Sequence, residues 1–136
     1  MDKQLLSLLN DEYKAMEDLL KALEEQFEFL TVQDVFKLEA VTEKIDNCSR
    51  ELARTEGKRR TITGKVSLRS YVEELNDKTI NEVYERIVKI LGELNLQKDS
   101  NDLLIRQSLG YTNAMLSMIN PPKQPVTYNG YGKIGK

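Results

Sequence analysis

Apolar residues recur along the first thirty positions with the spacing of an amphipathic helix. From Leu9 to Leu30 they lie alternately four and three residues apart, which keeps them on one helix face. Several further leucines widen this stripe toward the broad apolar face of a bundle helix. The stripe and the leucines beside it are Leu5, Leu6, Leu8, Leu9, Tyr13, Met16, Leu19, Leu20, Leu23, Phe27 and Leu30. The pattern predicts a first helix over residues 2–30.

A second stripe with similar spacing follows almost at once and predicts a second helix over about residues 32–56. Its members are Val35, Leu38, Val41, Ile45, Cys48 and Leu52. Thr31 offers an N-cap hydroxyl, and Asp34 falls in the first turn. Because the connection is so short, the two helices are predicted to form an antiparallel hairpin.

Gly57 and the threonine-rich segment after it predict the end of the second helix and a loop over residues 57–69. Ser70 with Glu73 has the spacing of a capping box and predicts a short third helix. Asp77 is placed to cap the helix that follows.

The last helix is predicted over residues 78–119. Its stripe crosses a polar segment at 97–102 and resumes at Leu103; the segment contains no Gly or Pro, so nothing forces a break. A turn at Asp99–Ser100 is the alternative. Asn120-Pro121-Pro122 ends the helix, because Pro disfavours helical backbone at the residue before it and cannot continue the ladder. The apolar positions before the polar segment are Ile80, Val83, Ile87, Ile90 and Leu94.

These elements predict an all-α fold. Residues 1–120 are expected to form an elongated antiparallel helical bundle or coiled coil, with two long N-terminal helices, one short helix and one long C-terminal helix. Residues 121–136 are rich in Gly, Pro and Tyr and are predicted to form a flexible, disordered tail.

Composition fits a single long-helix domain. The chain has 136 residues, of which 31% are charged and 7% aromatic, and its net charge of −2 gives no general attraction to nucleic acid or anionic membranes. No apolar run of about 18 residues is present to span a bilayer, and acidic residues arrive too early for a secretory signal. Cys48 stands alone, which indicates a reducing compartment. The sequence therefore predicts a cytoplasmic protein.

No catalytic, cofactor or metal site is predicted. Gly64-Lys65 lacks the spacing of a phosphate-binding loop. The chain has no His, which removes the usual general base and the His ligands of helical-bundle metal sites. Acidic residues flank the stripes as a charged outer face: Glu24, Glu25, Glu28, Glu39, Glu43 and Asp46. Nothing in the sequence predicts an enzyme.

Residues 54–69 are strongly basic, with six Lys or Arg and one Glu, a net +5. Nucleic-acid binding would require interleaved aromatics or a recognition helix, and only Tyr71 lies nearby. The pattern favours a solvated loop, or a segment that pairs with the acidic first helix, over a nucleic-acid interface.

The end of the last helix is rich in Met, Leu and Ile over residues 115–119. These side chains fit either the bundle core or an adaptable surface for a partner. The last helix is predicted at about 42 residues against about 29 and 25 for the first two, so its end should overhang and expose apolar side chains.

Four stretches of the chain carry a resemblance to a known family. The opening "LLSLLNDEYKAMEDLLKALEEQ" is a leucine-rich helix, and "LEAVTEKIDNCSREL" is a second helix with a Leu/Thr-Glu-Lys pattern. Asn101, Leu103 and Leu104 form an Asn-x-Leu-Leu pattern late in the last helix, and "VTYNGYGK" follows near the C-terminus. In these stretches the chain resembles the FlgN family of flagellar export chaperones, and the similarity covers nearly all of residues 1–132.

The resemblance implies a cytoplasmic type III export chaperone without cofactor or metal. Such proteins bind the C-terminal segment of hook-associated junction proteins, prevent premature assembly and deliver them to a membrane export-gate component. The implied cargo-binding residues are Asn101, Leu104, Gln107, Leu109, Tyr111, Met115, Leu116, Met118 and Ile119. The family's gate-docking tyrosine corresponds to Tyr128. Tyr131 is a second candidate within the motif, in which Asn129 replaces the usual Asp.

A self-associating structural coiled coil is the alternative function, because apolar seams of this kind also pair copies of one chain. No direct insertion into a membrane is expected in either case, and a homo-oligomer is compatible with both.

Overall fold

The all-α class is confirmed by a computed structural model, which describes residues 3–119, 127–128 and 134–135, with side chains for residues 3–108, 117 and 118. Four helices make up nearly all of this part of the chain, and the strands have two residues each. The elements are α1 (Lys3–Val32), α2 (Val35–Thr63), α3 (Leu68–Leu75), α4 (Lys78–Ile119), β1 (Thr127–Tyr128) and β2 (Ile134–Gly135).

The chain divides into two units, Met1–Asp102 and Leu103–Lys136. The first unit contains α1, α2, α3 and α4 as far as Asp102, together with the apolar core. The second contains the rest of α4 and the two strands. The predicted boundary between a bundle at 1–120 and a tail at 121–136 stays a prediction, because residues 120–126 lie outside the described part.

The turn between α1 and α2 is as short as predicted, but its N-cap is Asp34 instead of Thr31. Gln33 turns the chain with a φ of 56°, and the Asp34 carboxylate accepts a hydrogen bond from the backbone N–H of Lys37 at 3.1 Å. Thr31 lies inside α1, where its hydroxyl donates to the carbonyl of Glu28. The carboxylate satisfies a helix-end N–H more strongly than a hydroxyl would.

The sequence predicts that α2 ends at Gly57, but the helix continues to Thr63. A glycine inside a helix costs about 1 kcal/mol relative to alanine, which packing of the following turn readily offsets. The helix ends instead at Gly64, whose φ of 64° suits glycine and whose N–H donates to the carbonyl of Arg60 at 2.8 Å. The predicted loop at 57–69 is therefore wrong for most of its length.

The short third helix begins earlier than the capping-box prediction. Ser67 is the N-cap and accepts a hydrogen bond from the N–H of Ser70 at 3.2 Å. Glu73 bonds to Arg69 instead of completing a box with Ser70. The cap of the next helix is confirmed, since the Asp77 carboxylate accepts from the N–H of Ile80 at 3.1 Å.

α4 is continuous across the polar segment at 97–102, as predicted. Its five predicted stripe residues are all buried. They pack in one cluster with apolar residues of α1 and α3. The buried members of this cluster are Leu5, Leu9, Met16, Leu23, Val72, Ile80, Val83, Ile87, Ile90 and Leu94. α2 adds only half-buried side chains to the rim, namely Ile45, Leu52 and Ile62.

The helix directions in the first unit follow from side-chain contacts. Arg59 pairs with Glu12 and Lys44 pairs with Glu25, so α2 runs antiparallel to α1, as predicted. Tyr13 lies beside residues 86–93 of α4, and Asn101 bonds to the carbonyl of Leu23. α4 therefore runs parallel to α1.

A buried ion pair joins α1 to α2. Arg59 Nε donates to Glu12 Oε1 at 2.8 Å, and the two side chains are only 12% and 3% exposed. Charges withdrawn from water depend on each other, because either one left alone would carry its full desolvation cost. The position of Arg59 inside α2 thus helps to explain why the helix continues past Gly57.

Replacing Glu12 with Ala should destabilise the fold by about 3–5 kcal/mol, because it leaves the guanidinium of Arg59 buried without a partner. The double variant Glu12→Leu/Arg59→Met should recover much of this loss, since apolar residues of similar size often replace a buried ion pair without cost. Urea unfolding followed by circular dichroism measures both.

The matched control is Lys44→Met, which removes the exposed partner of Glu25 and should change stability little. If the double variant were no more stable than Glu12→Ala, the explanation by a buried unpaired charge would be wrong. The loss of stability would then come from altered side-chain packing.

Candidate functional site

Asn101 is a polar residue inside the interface between α4 and α1. It is 2% exposed, and its side-chain Nδ2 donates to the backbone carbonyl of Leu23 and to Oε1 of Gln26, both at 2.8 Å. Its Oδ1 accepts from Nε2 of Gln97 at 3.0 Å. All polar groups of the amide are thus used within the protein.

The family resemblance implies that Asn101 is a cargo-binding residue, but the structure gives its side chain a role inside the first unit. A direct contact with cargo would require breaking its bonds to α1 and leaving buried amide groups unpaired, which is costly. The geometry suits a positioning role, in which Asn101 fixes the register of α4 against α1. Periodicity misses this role because it ranks polar residues as exterior.

The other predicted cargo residues lie on α4 beyond Asp102. Leu104 is half-buried, whereas Gln107 is exposed and Met118 is 83% exposed. Leu103, not among the predicted site residues, is 57% exposed. The backbone places five further predicted residues on the same helix, with side chains outside the described set: Leu109, Tyr111, Met115, Leu116 and Ile119.

The predicted gate-docking tyrosine lies in a short strand pair. β1 and β2 pair antiparallel, with Thr127 opposite Gly135 and Tyr128 opposite Ile134. Tyr131 lies outside the described residues, so its predicted role stays a prediction.

The basic segment 54–69 is mostly helical, and much of its charge is neutralised locally. Arg59 is the residue that pairs with the acidic first helix. Arg54 lies 2.6 Å from Glu51, where the hydrogen bond lowers the pKa of that carboxyl and raises the pKa of the guanidinium. Arg60 and Arg69 pair with Glu56 and Glu73 on their own helices. The expected pairing with α1 therefore applies to Arg59, while the other ion pairs found in this segment are intrahelical.

Cys48 is half-buried on α2. Burial raises the pKa of its thiol, and the carboxylates of Asp18 and Glu25 add to the effect, while Lys44 opposes it. A raised pKa reduces the thiolate fraction and gives no support to a nucleophilic role. Within the described part of the chain, no group of three or more Asp, Glu, Cys or His could hold a metal ion.

Two sets of exposed apolar side chains were not predicted from the sequence. One lies where α1 meets α2 and includes Val32, Val35 and Phe36. The other lies along the middle of α4 and consists of Val88, Leu91 and Leu96, which are 50%, 45% and 71% exposed. The spacing of apolar residues identifies the apolar face of a helix, but it does not show which apolar side chains are left uncovered by another helix.

Among the described residues, no helix is both long enough and apolar enough to cross a bilayer.

The comparison with protein families decides the assignment. A family model described as "FlgN protein" matches residues 1–136, the whole chain. The chain belongs to the FlgN family. This is a chaperone family and not an enzyme family, so the protein has the role of a flagellar export chaperone. No curated protein and no solved structure matches it significantly. The resemblance stated from the sequence motifs is thereby confirmed.

Replacing Asn101 with Asp should destabilise this FlgN-family chain by about 1–3 kcal/mol, because the buried amide donors to Leu23 and Gln26 are lost. Asn95→Asp makes the same chemical change at an exposed position of α4 and should have little effect. Thermal and urea unfolding of the two variants measure the difference. Equal losses would show that Asn101 does not fix the helix register.

Proposed function

We propose that this chain is a cytoplasmic chaperone for type III flagellar export. It binds the C-terminal segment of hook-associated junction proteins, prevents their premature assembly and delivers them to the export gate. The observation that carries this proposal is the match of the FlgN family model over residues 1–136. The identity of the cargo, the docking at the export gate and the cytoplasmic location are all parts of this proposal.

The proposed cargo surface is the part of α4 beyond Asp102. Leu103 and Met118 expose most of their side chains, and exposed apolar side chains on a helix suit an amphipathic partner helix with contacts at i, i+3, i+4 and i+7. Met in particular adapts to partners of different shape. Cargo contacts are assigned to the exposed and half-buried positions, and Asn101 is given the positioning role.

The complex must also release its cargo. Ordering a disordered cargo segment costs a few kcal/mol of the gross interaction energy, so a large apolar contact can remain reversible. Docking at the gate is assigned to the C-terminal segment with Tyr128 and Tyr131. Tyr provides a large apolar area and one hydrogen-bonding group, and it loses little conformational entropy when it docks.

Two variants should separate the proposed roles. A chain truncated after Ile119 should bind the C-terminal cargo segment as the full chain does and lose binding to the export-gate component. Met118→Asp should do the reverse, weakening cargo binding about tenfold or more, since tenfold corresponds to about 1.4 kcal/mol. Calorimetric titration with each partner measures both.

The matched control for Met118→Asp is Leu96→Asp, which places the same charge at another exposed position of α4 and should leave both partners bound. A truncated chain that kept the gate and lost the cargo would contradict the assignment of the two roles.

The self-association alternative has one observation in its favour, the exposed apolar side chains Val88, Leu91 and Leu96 on α4. It predicts an oligomer in sedimentation equilibrium that Leu91→Asp dissociates. A chain that sediments as a monomer and binds the cargo segment would exclude this alternative.

A further inference from the structure

The hairpin tip, residues 27–36 at the end of α1 and the start of α2, carries exposed apolar side chains. Phe36 is 85% exposed, Val32 71%, Val35 64% and Phe27 37%. Single exposed apolar residues are ordinary on a protein surface, but several close together on one short segment indicate an interaction site.

The fold does not require the exposed side chains of the tip. The turn is held by the backbone bond from the N–H of Asp34 to the carbonyl of Phe29 at 3.1 Å and by the Asp34 cap. Phe29 differs from these exposed side chains. It is half-buried, and the ammonium group of Lys37 lies 5.6 Å from the centre of its ring. Phe36 and Val35, at the start of α2, stay largely in solvent.

The tip lies in an acidic part of the first unit. Residues 24–46 contain seven acidic residues and two lysines, a net −5. Glu25 is neutralised by Lys44, and Asp46 by Arg50. Four carboxylates of this segment have no ion pair within the described residues, and all four are exposed: Glu24, Glu28, Glu39 and Glu43.

We propose that the hairpin tip binds a basic amphipathic helix of a partner protein. The apolar face of that helix packs on Phe36, Val32 and Val35, and its flanking Lys or Arg residues pair with the free carboxylates. An anionic membrane surface is disfavoured as the occupant, because its charge has the same sign as the tip. This site is additional to the proposed cargo and gate surfaces, which use residues beyond Asp102.

The probe is a labelled synthetic peptide of about 18 residues, long enough to form a helix on docking. It carries Leu at i, i+3, i+4 and i+7 and Lys at the other positions. Fluorescence anisotropy with the full chain should show binding that weakens as salt is added, because the charges are exposed. Val32→Ser/Phe36→Ser should weaken binding at least about tenfold, and the same peptide with Glu for Lys should not bind.

The charge contribution is tested with Glu24→Gln/Glu28→Gln/Glu39→Gln/Glu43→Gln, which should lower the affinity and flatten its salt dependence. The matched control Leu96→Ser alters a side chain as exposed as that of Val32, 71% in each case, and should bind the peptide normally. The tip residues to be changed are on the surface, and circular dichroism checks that the fold is intact.

Equal binding of the peptide by wild type and Val32→Ser/Phe36→Ser would overturn the proposal, as would equal binding of the Lys and Glu peptides. The proposal would also be overturned if the wild-type chain formed an oligomer, the Val32→Ser/Phe36→Ser variant were monomeric, and the wild-type chain did not bind the peptide. A second copy of the chain would then occupy the tip. Cargo binding is measured in parallel, so that a loss of peptide binding alone is distinguished from a failure of the proposed chaperone role.

Discussion

The side-chain amide of Asn101 is the contact on which the register of α4 in the first unit depends. An apolar seam between two parallel helices tolerates sliding by a helical turn, because one aliphatic side chain replaces another. A buried amide does not, since a slip would separate its donors from the Leu23 carbonyl and the Gln26 side chain. Each such bond contributes only about 1 kcal/mol, but losing it leaves a buried polar group unpaired. The five buried stripe residues of α4 supply the apolar burial, and the amide selects one arrangement among several.

The ion pair of Glu12 and Arg59 is the corresponding polar contact between α1 and α2. It lies about as far from the hairpin turn as the hairpin allows, and the Glu25–Lys44 pair near the turn is much more exposed. The two helices are thus held at one end by a short capped turn and near the other by a desolvated pair of charges. Between these points Val41 is the one apolar residue of α2 that is fully buried.

The periodicity of apolar residues was sufficient to predict the helices but not their ends. α4 was predicted with its observed bounds, because its stripe is regular and Asn120-Pro121-Pro122 forces a stop. The end of α2 was missed because Gly57 and Gly64 are equivalent by local propensity, and the buried charge of Arg59 lies between them. The choice of Asp34 over Thr31 as N-cap also escaped prediction, since two suitable capping residues stood three positions apart.

The candidate site was predictable only in part, for a related reason. Motif similarity placed Asn101 in a partner-binding region, whereas its surroundings show an interior amide with every polar group satisfied. The exposed side chains at Val32, Val35 and Phe36 belong to the same stripes that predict a core, or lie beside them. Whether such a residue is covered depends on where the neighbouring helices end. The spacing of apolar residues within one helix does not reveal where its neighbours end.

The small number of buried residues in α2 has a consequence for local opening of the fold. α2 buries Val41, Thr55 and Thr63, against seven buried residues in α1, and the hydroxyl of Thr63 has no partner. α2 therefore contributes fewer fully buried side chains than α1, and local opening of a weakly buried element has a free energy below that of global unfolding. Transient release of this one helix would uncover part of the leucine-rich face of α1 while α1 and α4 stay paired.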